Sequence, residues 1–201
     1  NTEREIAATL ASQGMAALDN ALLFQRIEDL ASRDGLTGLH NRRHFTNMLT
    51  ERAAHDADGG PVAAIMVDID HFKRINDTYG HSVGDQVIQA VARRLAESLR
   101  AGDLICRYGG EEFAVLLTDT PDQPARIVAA RLHEAISEAP VATAAGALHV
   151  TVSVGLAPSV TMVTDLTAMF DPADNALYAA TREARDRVVT AGEARPASAD
   201  R

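Results

Sequence analysis

Two rhythms of apolar residues run along this chain. From residue 3 to about residue 32 there is neither Pro nor strand-like alternation, and one Gly interrupts a stretch dominated by Ala, Leu, Gln, Glu and Arg. This predicts one long helix. Ile6, Gln13, Ala16, Asn20, Leu23, Ile27 and Leu30 follow a three- and four-residue spacing over its second half. That pattern suits a coiled-coil seam with polar Asn20 inside it, and equally the apolar face of a helix packed on its own domain. Asp34-Gly35-Leu36-Thr37-Gly38-Leu39 then breaks the helix with two glycines and marks a domain boundary. A second helix begins at Asn41-Arg42-Arg43-His44-Phe45 and runs to about His55.

Beyond the turn-forming Asp58-Gly59-Gly60-Pro61, the run Val62 to Asp68 is apolar and of strand length, so a central, buried strand is expected. His71 to Asp77 reads as a short helix, Tyr79-Gly80-His81 as a turn, and Val83 to Leu99 as a helix with Val87, Val91, Leu95 and Leu99 on one face. Leu104 to Tyr108 and Glu112 to Leu117 are β-rich and flank Gly109-Gly110. A hairpin is expected there, its glycines supplying positive φ. Ala125 to Ala139 reads as a helix, Leu148 to Leu156 as a strand, Asp165 to Arg182 as a helix and Arg187 to Thr190 as a last strand. The expected layout is a helix over 1–32, an α+β domain over 33–190 and a small, polar, disordered tail over 191–201.

Composition narrows the setting. The 201 residues suffice for one core plus an appendage, and 46% hydrophobic with 23% charged residues marks a globular chain. No apolar run approaches the roughly 20 residues that cross a bilayer. Cys106 is the only cysteine, so no internal disulfide forms, which fits a reducing, cytoplasmic compartment. The chain opens on Asn1 and reads as a fragment of a longer protein. Its net charge of -9 argues against non-specific nucleic-acid binding, and an anionic ligand would need a local cationic or metal-filled pocket.

Three acids carry the first chemical signal. Asp68 ends the buried strand, where a carboxylate is costly unless a cation or donors satisfy it. Glu111 and Glu112 follow the glycine turn, and strand alternation lets only one of them share a pocket with Asp68. If the strands are neighbours, Asp68 and one glutamate converge on a hard divalent cation such as Mg²⁺; otherwise they are acids on a hairpin rim. Lys73, Asn76, His81 and Asp85 form a second cluster. Lys73 and nearby amides could hold phosphates, while Asn76 and Asp85 could read a purine edge or merely shape a turn and a helix start.

Four blocks change the picture when taken together: Asp34 to Arg43, Val67-Asp68-Ile69-Asp70-His71-Phe72-Lys73-Arg74-Ile75-Asn76-Asp77, Tyr79 to Asp85, and Arg107-Tyr108-Gly109-Gly110-Glu111-Glu112-Phe113. In order and spacing they resemble the GGDEF family of diguanylate cyclases over about residues 33 to 190. The resemblance implies a cyclase-palm fold, a mostly antiparallel central sheet of about five strands flanked by helices. It implies condensation of two GTP into cyclic di-GMP with release of two pyrophosphates. Asp68, the Ile69 carbonyl and Glu111 would bind Mg²⁺, two ions per GTP with Mn²⁺ as an alternative, and Glu112 would complete the catalytic signature. Asn76, His81 and Asp85 would take guanine; Lys73 and the backbone of His71, Phe72 and Lys73 would hold phosphates, with Gly109 and Gly110 allowing close approach. Arg100 and Asp103 resemble the family's inhibitory site for product, with Arg131 in support. One domain binds one GTP, so a homodimer is implied, domains face to face and joined through the N-terminal helix. The segment Met15 to Phe24 resembles the last helix of a GAF-type sensor. An alternative reading is a weak or silent module that binds GTP or cyclic di-GMP.

One stretch departs from the family pattern. Where the family carries Lys, three intervening residues with Gly last, and Arg, this chain has Thr181, Ala184 and Arg185. Arg185 would still grip phosphate, and Arg182 could compensate for the missing lysine. One lost charge-assisted contact costs on the order of 1.5–3 kcal/mol, so weaker GTP binding is expected.

Overall fold

The structure, a computed structural model, describes residues 14–15, 32–55, 60–161 and 165–192. Gly14 and Met15 are helical, as expected; the rest of the first helix, its seam, the GAF-like segment and the tail beyond 192 lie outside the described residues. The strands are β1 (His40–Asn41), β2 (Ala63–Ile69), β3 (Leu104–Arg107), β4 (Glu112–Leu117), β5 (Val141–Thr143), β6 (Gly146–Leu148), β7 (Val152–Leu156) and β8 (Arg187–Thr190). The helices are α1 (Arg42–His55), α2 (Phe72–Tyr79), α3 (His81–Glu97), α4 (Asp122–Ser137) and α5 (Phe170–Glu183), the last preceded by a 3₁₀ turn at Thr167–Met169.

The main sheet runs β1-β3-β4-β2-β7-β8. Its four middle strands pair antiparallel, and the outer pairs β1–β3 and β7–β8 are parallel. It thus has six strands against the expected five or so. The extra one, His40–Asn41, is too short and polar to show periodicity. Beside the sheet, β5 and β6 form a separate hairpin at Gly146, whose φ is 106°. That hairpin absorbs Leu148, so the strand expected from Leu148 starts instead at Val152.

The core explains why β2 reads as an unbroken apolar run: both its faces are covered. Ala63, Ile65, Val67 and Ile69 pack with Val87, Val91 and Leu95 of α3 and Ala129, Leu132 and Ile136 of α4. Ala64 and Met66 pack on the other side with Phe45 and Leu49 of α1 and Phe170, Ala173 and Leu177 of α5. By alternation, Asp68 continues this second row and emerges beside α5. There α5 lies almost against the sheet: a Cβ placed on Gly155 of β7 would stand 2.1 Å from the Ala173 carbonyl oxygen and 2.3 Å from the Leu177 nitrogen.

The signature hairpin forms as expected, but not for the expected reason. Neither Gly109 nor Gly110 has positive φ. The turn spans Tyr108 to Glu111 and closes with the Tyr108 and Gly109 N–H groups donating to the Glu112 carbonyl at 2.8 and 3.3 Å. Such a longer connection does not demand the left-handed pair of a two-residue hairpin. At Gly109 a Cβ would come within 2.5 Å of Glu112 Oε2, so a larger residue would make the Glu112 carboxylate swing away from its place.

Candidate active site

Where β2 ends, the sheet, the start of α2 and one side of α5 enclose an open cavity of about 370 Å³. Asp68 and Glu112 are direct register partners across β2 and β4. The Ile69 N–H donates to the Glu111 carbonyl at 3.3 Å, which draws the hairpin turn over the strand end. Asp68, Glu111 and Glu112 all line the cavity. This corrects the expectation that only one glutamate could do so: Glu111 precedes the strand, in a bend, so alternation does not relate the pair.

The acids perturb one another. Burial, and then the charges of Glu111, Glu112 and Asp70, push the Asp68 carboxyl up to about 7, with Arg185 opposing. Burial, Asp174 and Glu111 likewise raise Glu112, against the pull of Arg42. A site that makes carboxylates reluctant to ionise is one where a cation has something to offset. Among the described residues no three His, Cys, Asp or Glu side chains are grouped to hold an ion alone. Mg²⁺ takes one or two carboxylates and completes its shell with water and phosphate oxygens. The residues suited to it are Asp68, Glu111 and the Ile69 backbone.

The opposite wall is cationic. Lys73 and Arg185 line the cavity, as do His71 and Phe72. His71 is left-handed (φ 57°) just before α2, and the first amides of a helix lack partners within it, so the His71 to Lys73 backbone suits an anion. Thr181 lines the wall too, its hydroxyl donating to the Tyr178 carbonyl at 2.9 Å. Arg182 is not among the lining residues: its guanidinium donates to the Tyr178 hydroxyl at 3.2 Å and lies over that ring. Ala184 has φ -160°, which any residue adopts, so the missing glycine carries no backbone penalty.

Asn76, His81 and Asp85 are not brought into this cavity. They sit on the adjoining α2–α3 ridge, where Gly84 lets the helices meet: a Cβ there would be 1.9 Å from Asn76 Oδ1. That oxygen is buried and has no partner. His81 and Asp85 flank the contact from one exposed face of α3. Gly109 and Gly110 border the cavity through Glu111 without lining it.

Asp70 belongs to the fold. Its carboxylate, 4% exposed, accepts the Ser153 hydroxyl at 2.7 Å, the Thr151 hydroxyl at 2.7 Å and the Asp186 N–H at 2.9 Å. Arg107 holds the hairpin turn from behind, donating to the Gly110 carbonyl at 2.7 Å and pairing with Asp34 at 3.1 Å. Arg42 stacks on Tyr108, 4.1 Å from its ring centre. On the far side of the hairpin, Arg100 and Asp103 pair at 3.3 Å. The Arg100 guanidinium also reaches the Thr118 carbonyl and the Thr120 hydroxyl, while Arg131 donates to the Ser98 carbonyl at 2.7 Å. Sequence reading missed Asp174, Leu177 and Tyr178, which with Thr181 form one face of α5. Their three- and four-residue spacing was visible, but the sheet end they cover was not.

A family model described as "Diguanylate cyclase, GGDEF domain" matches residues 31–187. The response regulator PleD of Caulobacter vibrioides is 43% identical over 164 residues, 80% of this chain and 36% of PleD. The chain therefore spans about a quarter to a half of the length of the curated relatives it matches. The coiled coil and GGDEF domain of DgcB from Caulobacter crescentus, solved with c-di-GMP, superposes with a TM-score of 0.82 at 32% identity, covering 92% of this chain and 99% of that one. The active GGEEF domain of a Vibrio cholerae diguanylate cyclase gives 0.67 at 29% identity, covering 75% and 96%.

Proposed function

Because the chain belongs to the GGDEF family, we propose that it is a diguanylate cyclase that condenses two GTP into cyclic di-GMP with release of two pyrophosphates. One observation carries the reading: Asp68, Glu111 and Glu112 meet Lys73 and Arg185 in a single cavity, acids on the sheet side and cations at the start of α2 and just after α5. Mg²⁺ held by Asp68, the Ile69 carbonyl and Glu111 supplies neutralisation of the charge that builds on the transferring phosphate. The chain's own residues do the rest. Lys73, Arg185 and the His71 to Lys73 amides grip the triphosphate and orient its α-phosphorus. Asn76, with its unpaired buried oxygen, receives guanine together with His81 and Asp85. Glu112, its carboxyl raised by burial and by Asp174, stands where a proton from an attacking 3′-hydroxyl could be received.

Each domain presents one GTP, so two domains meet face to face, and the N-terminal helix holds them together. Arg100, Asp103 and Arg131 take cyclic di-GMP as the inhibitory site. Incubation with GTP and Mg²⁺ over a protein concentration series, with products chromatographed, tests the reading. Cyclic di-GMP forms with a rate that rises faster than protein concentration. Its absence at high concentration refutes the activity.

A further inference from the structure

Arg185 reaches the cavity from an unusual backbone. It and Asp186 are consecutive non-glycine residues in the left-handed region, with φ of 58° and 47°. Side chains with a Cβ rarely adopt this conformation, and two in a row persist only where surrounding contacts hold them. Asn and Asp tolerate it best, which suits Asp186; Arg has no such tolerance.

The contacts that hold the turn come from three elements. The Arg185 N–H donates to the Ala180 carbonyl at 3.0 Å, closing the end of α5. The Asp186 N–H donates to buried Asp70 Oδ2 at 2.9 Å. From α4, His133 Nε2 meets Asp186 Oδ1 at 2.8 Å, with the His133 side chain 19% exposed. Asp186 is thus pinned at its backbone by the sheet and at its side chain by a helix on the opposite face of the sheet from α5. Arg185, immediately before it, lines the cavity together with the acids.

We infer that His133 and Asp186 are positioning residues for Arg185: their contact, anchored by Asp70, fixes the left-handed turn that aims the Arg185 guanidinium at the substrate's phosphates. This rests on the reading of the cavity as a GTP site. Neither residue touches the cavity, so their effect on affinity passes through Arg185.

The test is direct binding of a non-hydrolysable GTP analogue with Mg²⁺ to the full chain, by calorimetry, alongside thermal unfolding. His133→Ala places a good helix former on α4 and weakens binding about fivefold to tenfold, a fraction of the loss on removing a charge-assisted contact outright. Asp186→Gly, which relaxes the backbone but drops the side-chain contact, weakens it similarly. His133→Gln, which can still donate to Asp186, stays within twofold of the parent. In an Arg185→Ala background, His133→Ala has no further effect, because coupled residues do not add. Equal affinities for parent and His133→Ala, or the same loss with and without Arg185, overturn the positioning role. If the parent itself does not bind the analogue, it is the GTP site that fails.

Discussion

Gly155 is where the fold and the site meet most tightly, and Gly155→Ala is the sharpest test of that junction. The new methyl would lie 2.1 Å from the Ala173 carbonyl oxygen, 2.3 Å from the Leu177 nitrogen and 2.9 Å from the Leu177 Cα, all backbone of α5. No side-chain rotation can relieve it, so the helix must move off β7 by about 1 Å to restore ordinary contact distances. Overpacking of this kind costs about 3 kcal/mol, the upper end of its usual range, because the clash is with backbone on two sides. In a chain of this size that lowers the melting temperature by about 6–12 °C. Urea unfolding followed by circular dichroism measures it as a lower midpoint at unchanged slope. The same displacement withdraws Asp174, Tyr178 and Thr181 from the cavity, so cyclic di-GMP synthesis falls by tenfold or more, on the order expected for an ångström of misplacement. Gly35→Ala is the control: no atom lies within 4 Å of its Cβ position, and stability should stay within about 0.5 kcal/mol. A Gly155→Ala protein as stable as its parent would refute the close packing of α5 on β7.

Three further outcomes follow from other parts of the molecule. Thr181→Lys restores a cation to the wall of the cavity and tightens GTP binding about tenfold; unchanged apparent affinity would show that Thr181 is not the deficit. At Asp34, burial opposes ionisation, but the Thr37 hydrogen bonds and Arg107 prevail and hold the carboxyl below its usual range. A depressed acid stabilises the fold above its ordinary pKa and stops doing so as pH falls through the folded value. Asp34→Asn should therefore cost about 1 kcal/mol at pH 7, a cost that shrinks in acid as Asp34 itself takes up its proton, in pH-dependent unfolding. Arg100→Ala should abolish inhibition by cyclic di-GMP and also lower stability by about 1–2 kcal/mol, since Asp103, 3% exposed, loses its cation; inhibition that persists in the variant would move the product site elsewhere.

Much of this was legible in the chain because it is local. The apolar run into Asp68 announced a strand covered on both faces, and the blocks around Asp68 and Glu111 announced the acids. What was lost lies in long-range placement. Asp174 and Tyr178 stand over Asp68 only because Gly155 admits α5 to the sheet, a relation that no helical periodicity encodes. The sequence left the role of Asp70, next to Ile69, open between metal and fold; its partners Thr151, Ser153 and Asp186 assign it to the fold. Alternation misjudged Glu111 because it lies in the bend immediately before the ladder begins at Glu112. The strand at His40–Asn41 is set by its parallel neighbour, not by its own polar residues.

The sandwiching of β2 between β4 and β7 gives the two halves of the cavity different resistance to opening. Amides of a central strand covered on both faces exchange with solvent last, close to the rate of global unfolding. The acids are rooted there: Asp68 on β2 itself, Glu112 on its hydrogen-bonded neighbour. The cations stand outside the sheet, Lys73 in the first turn of α2 after left-handed His71 and Arg185 in a left-handed turn after α5. Any local breathing of this domain therefore loosens Arg185 and the hairpin-borne Glu111 long before it disturbs Asp68 and Glu112, and adaptation to a nucleotide falls to the elements outside the central strands.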